Sequence, residues 1–226
     1  MEQNIDRISI QVGLSGYSFK IESDNAVHSS DWMSADRVFT TSEFQKKYDQ
    51  VDLAVYTPKC TLVPKQFHSP EVAQNLLSEV VSLSDDEMVE SVEMPEFNAV
   101  LVYSNKIGET LTRVISETVL CTDGSKSSPL PIAYYMLKSL AGINEYNKIL
   151  AAYMDGVLYL VLAQGSTLLL CNSYKAPDFT TAQYFIFLSL KKLQLNPELS
   201  TITFMTRLDY EQEMSLYRYF RSVECI

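Results

Sequence analysis

The residues that could do chemistry in this 226-residue chain are few. Asp155, Asp178 and Asp209 could together hold two metal ions for phosphodiester hydrolysis, which needs carboxylates clustered at strand ends. Ser15 could act as a nucleophile beside one of the two histidines, His28 or His68. Its surroundings, Gly13-Leu14-Ser15-Gly16, are not the G-x-S-x-G elbow of serine hydrolases. The seven glycines are Gly13, Gly16, Gly108, Gly124, Gly142, Gly156 and Gly165. No six-residue window holds three of them, so a dinucleotide fingerprint, a P-loop and a kinase glycine loop are absent. The four cysteines, Cys60, Cys121, Cys171 and Cys225, show no metal-site spacing and are expected to be reduced and packed as small hydrophobes.

Charge narrows the substrates. The formal net charge is −10, and nucleic-acid binding requires a basic footprint. A nucleic-acid substrate, and with it the nuclease reading of the aspartates, is disfavoured. Residues 66–105 hold no lysine or arginine but eight acids: Glu71, Glu79, Asp85, Asp86, Glu87, Glu90, Glu93 and Glu96. This stretch reads either as a solvated face with an acidic linker or as a docking surface for a basic protein partner. The longest apolar run, Val157 to Ala163, has seven residues, against about 20 for a membrane-crossing helix. The first residues lack a basic-then-apolar signal layout, so the expected location is cytoplasmic.

The elements that must position these residues follow from hydrophobic period. Arg7–Gly13 and Tyr17–Ile21 alternate as strands around a Leu14-Ser15-Gly16 turn. Asp24-Asn25 marks a second turn into a strand at 26–30, and Ser42–Tyr48 is expected to be helical. Strands at 51–56 and 60–63, a helix over 71–83 and a strand at 98–103 complete the first half. Leu111–Val119 fits helix by spacing and strand by β-branched content. After a turn-rich break at 122–131, a helix at 131–141 opens the second half.

Three strands, 148–153, 157–163 and 167–172, are then joined by Asp155-Gly156 and Gln164-Gly165, both hairpin signals. A helix at 178–195, capped by Asp178, is apolar nearly all round and so expected to be buried on more than one side. A strand at 202–205, a helix at 210–220 and a short strand at 223–226 follow.

The two halves repeat one order: three strands, helix, strand, helix, and a last strand. The segment 12–21 laid over 153–162 superposes Ser15-Gly16 on Asp155-Gly156. This plan resembles the actin-like ATPase superfamily, an α/β fold of two ribonuclease H-like halves, here 1–130 and 131–226. The stretch 147–204 is similar to an uncharacterised bacterial domain of unknown function with that fold, and more distantly to the actin-like scaffold proteins of pilus and secretion machines.

The resemblance implies an aspartate at the end of the first strand of each half, holding a metal-water shell, and a glycine hairpin against the phosphates. The first position is Val12 or Gly13 here, and neither can ligate a cation. In the second half Asp155 is adjacent, though Asp155-Gly156 more simply makes a type I′ turn. The family's Gly-Gly pair for adenosine is replaced by Phe204-Met205-Thr206-Arg207-Leu208-Asp209. The resemblance therefore implies a non-catalytic protein-binding scaffold or adaptor without cofactor. The alternatives are a divergent ATP-Mg-binding member using Ser15, Gly16, Asp155 and Gly156, and a small-ligand binding module.

Overall fold

The computed structural model describes residues 6–23, 26–106 and 108–226; the expected Asp24-Asn25 turn lies outside them. In chain order the strands and helices begin with β1 (Arg7–Val12), β2 (Tyr17–Ser23), β3 (Ala26–Ser29), β4 (Lys47–Tyr48), β5 (Gln50–Val55) and β6 (Cys60–Pro64). Next come α1 (Ala73–Ser78), β7 (Glu90–Met94), β8 (Ala99–Tyr103), α2 (Glu109–Thr118), β9 (Leu120–Cys121), β10 (Pro129–Pro131) and α3 (Ile132–Ser139). The chain ends with β11 (Asn147–Met154), β12 (Val157–Gln164), β13 (Thr167–Lys175), α4 (Phe179–Lys192), β14 (Thr201–Phe204), α5 (Tyr210–Tyr217) and β15 (Ser222–Cys225).

Contacts divide the chain into two compact units. Unit 1 comprises residues 1–59, 82–90 and 103–132; unit 2 comprises 60–81, 91–102 and 133–226. Unit 1 ends at Ile132, and most of 60–102 falls in unit 2. That excursion carries α1 and the three-stranded sheet β6-β8-β7.

Unit 1 is built on the sheet β10-β5-β1-β2-β3. The alternation of β1 puts Ile8, Ile10 and Val12 wholly out of solvent, while Arg7, Ser9 and Gln11 face outward. Against that face pack Phe44, Val38, Tyr48, Ile115 of α2 and Val119 just beyond that helix. The open choice at 111–119 falls to helix as far as Thr118: Leu111 and Ile115, four residues apart, lie on one face against this core, and Val119 follows as the extended C-cap.

Two expected helices are corrected. Ser42–Tyr48 forms a 3-10 turn at Ser42–Gln45 and then β4, which pairs with β9. Its apolar anchors, Phe44 and Tyr48, are too few to hold a helix that short against the cost of starting one. The helix over 71–83 shrinks to α1, which buries Ala73 and Leu77 and leaves Val72 and Val80 exposed. The buried stripe is thus offset from the apolar spacing seen in the sequence. Strand β7 was hidden in the acidic stretch; of its five residues Met94 alone is fully buried.

Unit 2 is built on the sheet β13-β12-β11-β14-β15. Helices α4 and α5 pack on it through Ala182, Ile186, Leu190 and Leu216, against Ile149, Leu160, Ile202 and Phe204. Helix α4 is less enclosed than its apolar sequence suggests. Phe185 stacks on Tyr174 at 4.7 Å and Phe187 on Phe220 at 5.8 Å, but Tyr184 is 61% exposed. Cysteine packing also divides: three are half-buried and Cys225 is exposed. Burial pushes the Cys60 thiol up to about 12 and raises Cys171 too, which leaves both protonated and unreactive at neutral pH.

Counted along their own strands, both sheets have the order 3-2-1-4-5. In each, the first strand is antiparallel to the second and parallel to the fourth. The duplicated ribonuclease H-like plan is present in both units.

Candidate functional site

The two hairpins proposed from sequence are different objects. In unit 1, Val12 and Tyr17 are the last paired residues, so residues 13–16 form a four-residue loop closed by the Gly13 N–H donating to the Gly16 carbonyl at 2.9 Å. Tyr17 exchanges two backbone bonds with Met33, at 2.9 and 2.7 Å. Gly16 lies directly under that bridge: a Cβ there would stand 1.9 Å from the Met33 carbonyl oxygen. The Trp32 Nε1–H donates to Ser15 Oγ at 3.0 Å, and the Trp32 ring meets Tyr56 edge-on. Tyr56 in turn donates its hydroxyl proton to Gln11 Oε1. His28 sits on exposed β3, and His68 belongs to unit 2, where its Nε2 meets Ser91 Oγ at 3.1 Å.

In unit 2, Met154 pairs with Val157, and Asp155 and Gly156 alone make the turn, with φ of 50° and 72°. Positive φ at both central residues is the type I′ geometry that Asp-Gly favours. The Gly156 carbonyl accepts from the Ala176 N–H at 2.8 Å. The next turn is Gly165-Ser166, one residue later than read from sequence, with positive φ at Gly165 only, as type II′ requires.

The other two aspartates of the paper cluster are helix caps. Asp178 Oδ1 accepts from the Thr181 N–H at 2.7 Å at the start of α4. Asp209 forms a reciprocal capping box with Gln212 at the start of α5. Among the described residues no three His, Cys, Asp or Glu side chains converge on a possible metal position.

The segment after β14 is tied down. The Met205 N–H donates to the Ala151 carbonyl, the Tyr153 N–H donates to Thr206 Oγ1, and Leu208 packs against the unit 2 core.

Four of the eight acids in the acidic stretch are paired with lysines of the chain itself. Lys106 pairs with Asp86, Lys65 with Glu93 and Lys138 with Glu96. Glu90 accepts from the Tyr103 hydroxyl at 3.0 Å. Glu87 is the anchor. Its carboxylate is fully buried and takes Lys59 Nζ at 2.7 Å, the Ser104 hydroxyl at 2.7 Å and the Ser84 N–H at 3.0 Å. Burial alone would raise its pKa; these three donors overcome that and hold it down at about 2.

Beside this anchor, unit 1 contains a cavity of about 290 Å³. One wall is a single face of α2: Glu109, Thr112, Arg113 and Ser116, at the i, i+3, i+4 and i+7 positions. The rest of the lining is Asp86, Met88, Glu90, Asn105, Lys106 and Pro129. Helix α2 starts from Gly108, at φ 73°, with no side-chain cap. Two buried polar atoms in this lining lack a hydrogen-bond partner: Thr112 Oγ1 and Asn105 Oδ1. Thr112 is 3% exposed.

A protein-family model, described as a protein of unknown function (DUF3822), matches residues 6–223. The chain belongs to the DUF3822 family. Among solved structures this DUF3822 chain is similar to a Bacteroides thetaiotaomicron protein with actin-like ATPase fold and unknown function. That match has 17% identity and a TM-score of 0.71 and covers 98% of this chain and 90% of the other. A structure of the PilM-PilN type IV pilus biogenesis complex matches at 10% identity and a TM-score of 0.52, covering 99% of this chain and 88% of that one. No curated protein matches it.

The actin-like fold expected from the repeat is therefore that of this DUF3822 protein. Among its described residues no helix is long and apolar enough to cross a membrane.

The sequence reading missed the α2 cavity in this protein. The signal was available: the apolar spacing of Leu111, Ile115 and Val119 implies an opposite face, and that face is the polar row 109, 112, 113 and 116.

Proposed function

We propose that this DUF3822 protein is a non-catalytic actin-like protein of the cytoplasm that acts by binding another protein. The observation that carries the reading is the tied-down segment after β14. Its backbone and Thr206 are spent on β11, Leu208 on the core and Asp209 on capping α5, with no glycine to admit a nucleotide. The type I′ turn gives Asp155 and Gly156 a sufficient structural reason to be there.

Support for a protein partner comes from the helical face of unit 2. Tyr184 on α4 and Tyr210, Met214 and Tyr217 on α5 are exposed by 43% or more, with Tyr219 just beyond at 51%. Exposed tyrosine and methionine are the side chains that interfaces concentrate. PilM, a structural neighbour, is seen in complex with another protein. A basic partner docking on residues 66–105 is the weaker form of the proposal. Among the described acids of that stretch only Glu79 and Asp85 keep side chains without an in-chain partner.

Calorimetric titration of the intact chain with ATP and magnesium tests the first half of the reading. No saturable heat is expected up to about 1 mM nucleotide; saturable binding that Asp155→Ala abolishes would establish the ATP-binding alternative instead.

A further inference from the structure

A second cavity, of about 390 Å³, lies wholly within unit 2. Its floor is apolar: Leu137 of α3, Leu140 just past that helix and Ala163 of β12 are nearly buried beneath it, and half-buried Phe97 joins them. Lys148 of β11 is the cross-strand partner of Ala163, and residues paired in this way project from the same face of a sheet, so both reach the cavity. The Lys148 ammonium carries three N–H groups, and one donates to the Leu140 carbonyl at 2.6 Å. It has no acidic partner among the described residues. The other two charges of the lining neutralise each other, because Lys138 pairs with Glu96 at 2.5 Å. What remains is one partly buried positive charge beside an apolar floor.

We propose that this cavity binds a monocarboxylic acid with an apolar chain. Its carboxylate is directed to the remaining N–H groups of Lys148, and its chain covers Leu137, Leu140, Ala163 and Phe97.

The volume falls within the range of small-molecule sites, roughly 300–1,000 Å³, which combine a mostly apolar lining with a few polar groups that fix orientation. Inorganic phosphate would leave the apolar floor uncovered and bring a second negative charge toward Glu96, and an amine would meet Lys148 as a like charge. Phe97 and Ser166 also line an adjoining cavity of about 490 Å³, together with Leu62, Pro64 and Leu168, so an apolar chain has room to run on. Lys148 has a structural role too, because the carbonyl it bonds lies at the C-terminal end of α3, where the helix dipole favours a cation. The two roles differ in what they do to binding.

Calorimetry of the full chain with hexanoate should show saturable binding with a Kd below about 1 mM. Acetate, which lacks the apolar chain, should bind at least about tenfold more weakly, and so should neutral hexanamide. Lys148→Met keeps an apolar stem without the charge and should weaken hexanoate about tenfold or more. A Lys148 that only closes the end of α3 would lower the melting temperature and leave the affinity of the folded protein unchanged. Glu96→Gln, at an exposed position, removes the one carboxylate of the described lining and frees Lys138, so it should tighten hexanoate about threefold. That variant decides the question if Lys148→Met does not fold. The proposal is overturned if hexanoate shows no saturable binding up to about 10 mM, or if acetate or hexanamide binds as tightly. It is equally overturned if folded Lys148→Met binds as the parent does, or if Glu96→Gln binds no more tightly than the parent.

Discussion

The loop joining β1 to β2 and the turn joining β11 to β12 stand at the same place in two sheets of identical strand order, yet they are built on different physics. The unit 2 turn is local in its geometry: two residues, both at positive φ, fold the chain back. The unit 1 loop is long-range. Four residues arch over, and Gly16 is required because the backbone at Met33 passes where a side chain would be. Aligned glycines can thus serve unrelated needs, one dihedral and one spatial. The same contrast runs through the units. Unit 2 is held by hairpins, caps and a 14-residue helix, whereas unit 1 replaces the helix after β3 with 3-10 turns and leans on single contacts such as Glu87.

The sharpest way to break this comparison is to add one methyl group to each glycine. Gly16→Ala should cost about 4 kcal/mol or prevent folding, since the Tyr17–Met33 bridge must open to admit the Cβ. Chemical denaturation measures this directly, and a loss under about 1 kcal/mol would remove the contrast.

Next in size, Glu87→Gln should cost about 3 kcal/mol, because it leaves Lys59 beside a neutral group in a buried site. The pH dependence has a definite sign. The folded carboxyl titrates at about 2, below its usual 4.5, so its stabilisation is complete above about pH 4.5 and is lost as pH falls toward 2. Acid denaturation of the Gln variant should lack that component.

Smaller again, the Cβ of Gly156→Ala would make only ordinary contacts, 3.7 Å to the Ala176 carbonyl oxygen and 3.8 Å to Pro177 Cα, so the cost is that of positive φ, about 1 kcal/mol. Smallest of all, Asp155→Asn should change stability by less than about 0.5 kcal/mol, because asparagine suits the type I′ turn as well as aspartate does. A large loss from Asp155→Asn, seen by thermal melting, would point to a role beyond the turn.

Legibility followed the range of the interactions. The strands of both meanders were readable, since Ile8, Ile10 and Val12 alternate cleanly and Asp155-Gly156 names its own turn. The helix at 111–119 was readable only as a choice, because spacing and β-branching opposed one another until Ile115 and Val119 were seen buried together. The helix over 42–48 and the length of α1 were misread, because apolar spacing does not say which residues find a neighbour to pack on. The acidic stretch was read as a solvated face with an acidic linker or as a docking surface, and its pairing with lysines was not foreseen. Its partners Lys59, Lys65, Lys106 and Lys138 lie outside it in sequence, and Glu87 looks like any other acid there.

The amino-acid order alone determined the duplicated strand plan, the type I′ turn and the absence of glycine-rich nucleotide loops. These depend on dihedral preference and on residues near one another in the chain. Only the tertiary structure decided that 60–102 belongs mostly with unit 2, that Gly16 answers to Met33, and that Asn105 and Thr112 face one cavity. Those facts arise where distant segments meet, and burial there changes what a charge, a hydroxyl or a missing side chain costs.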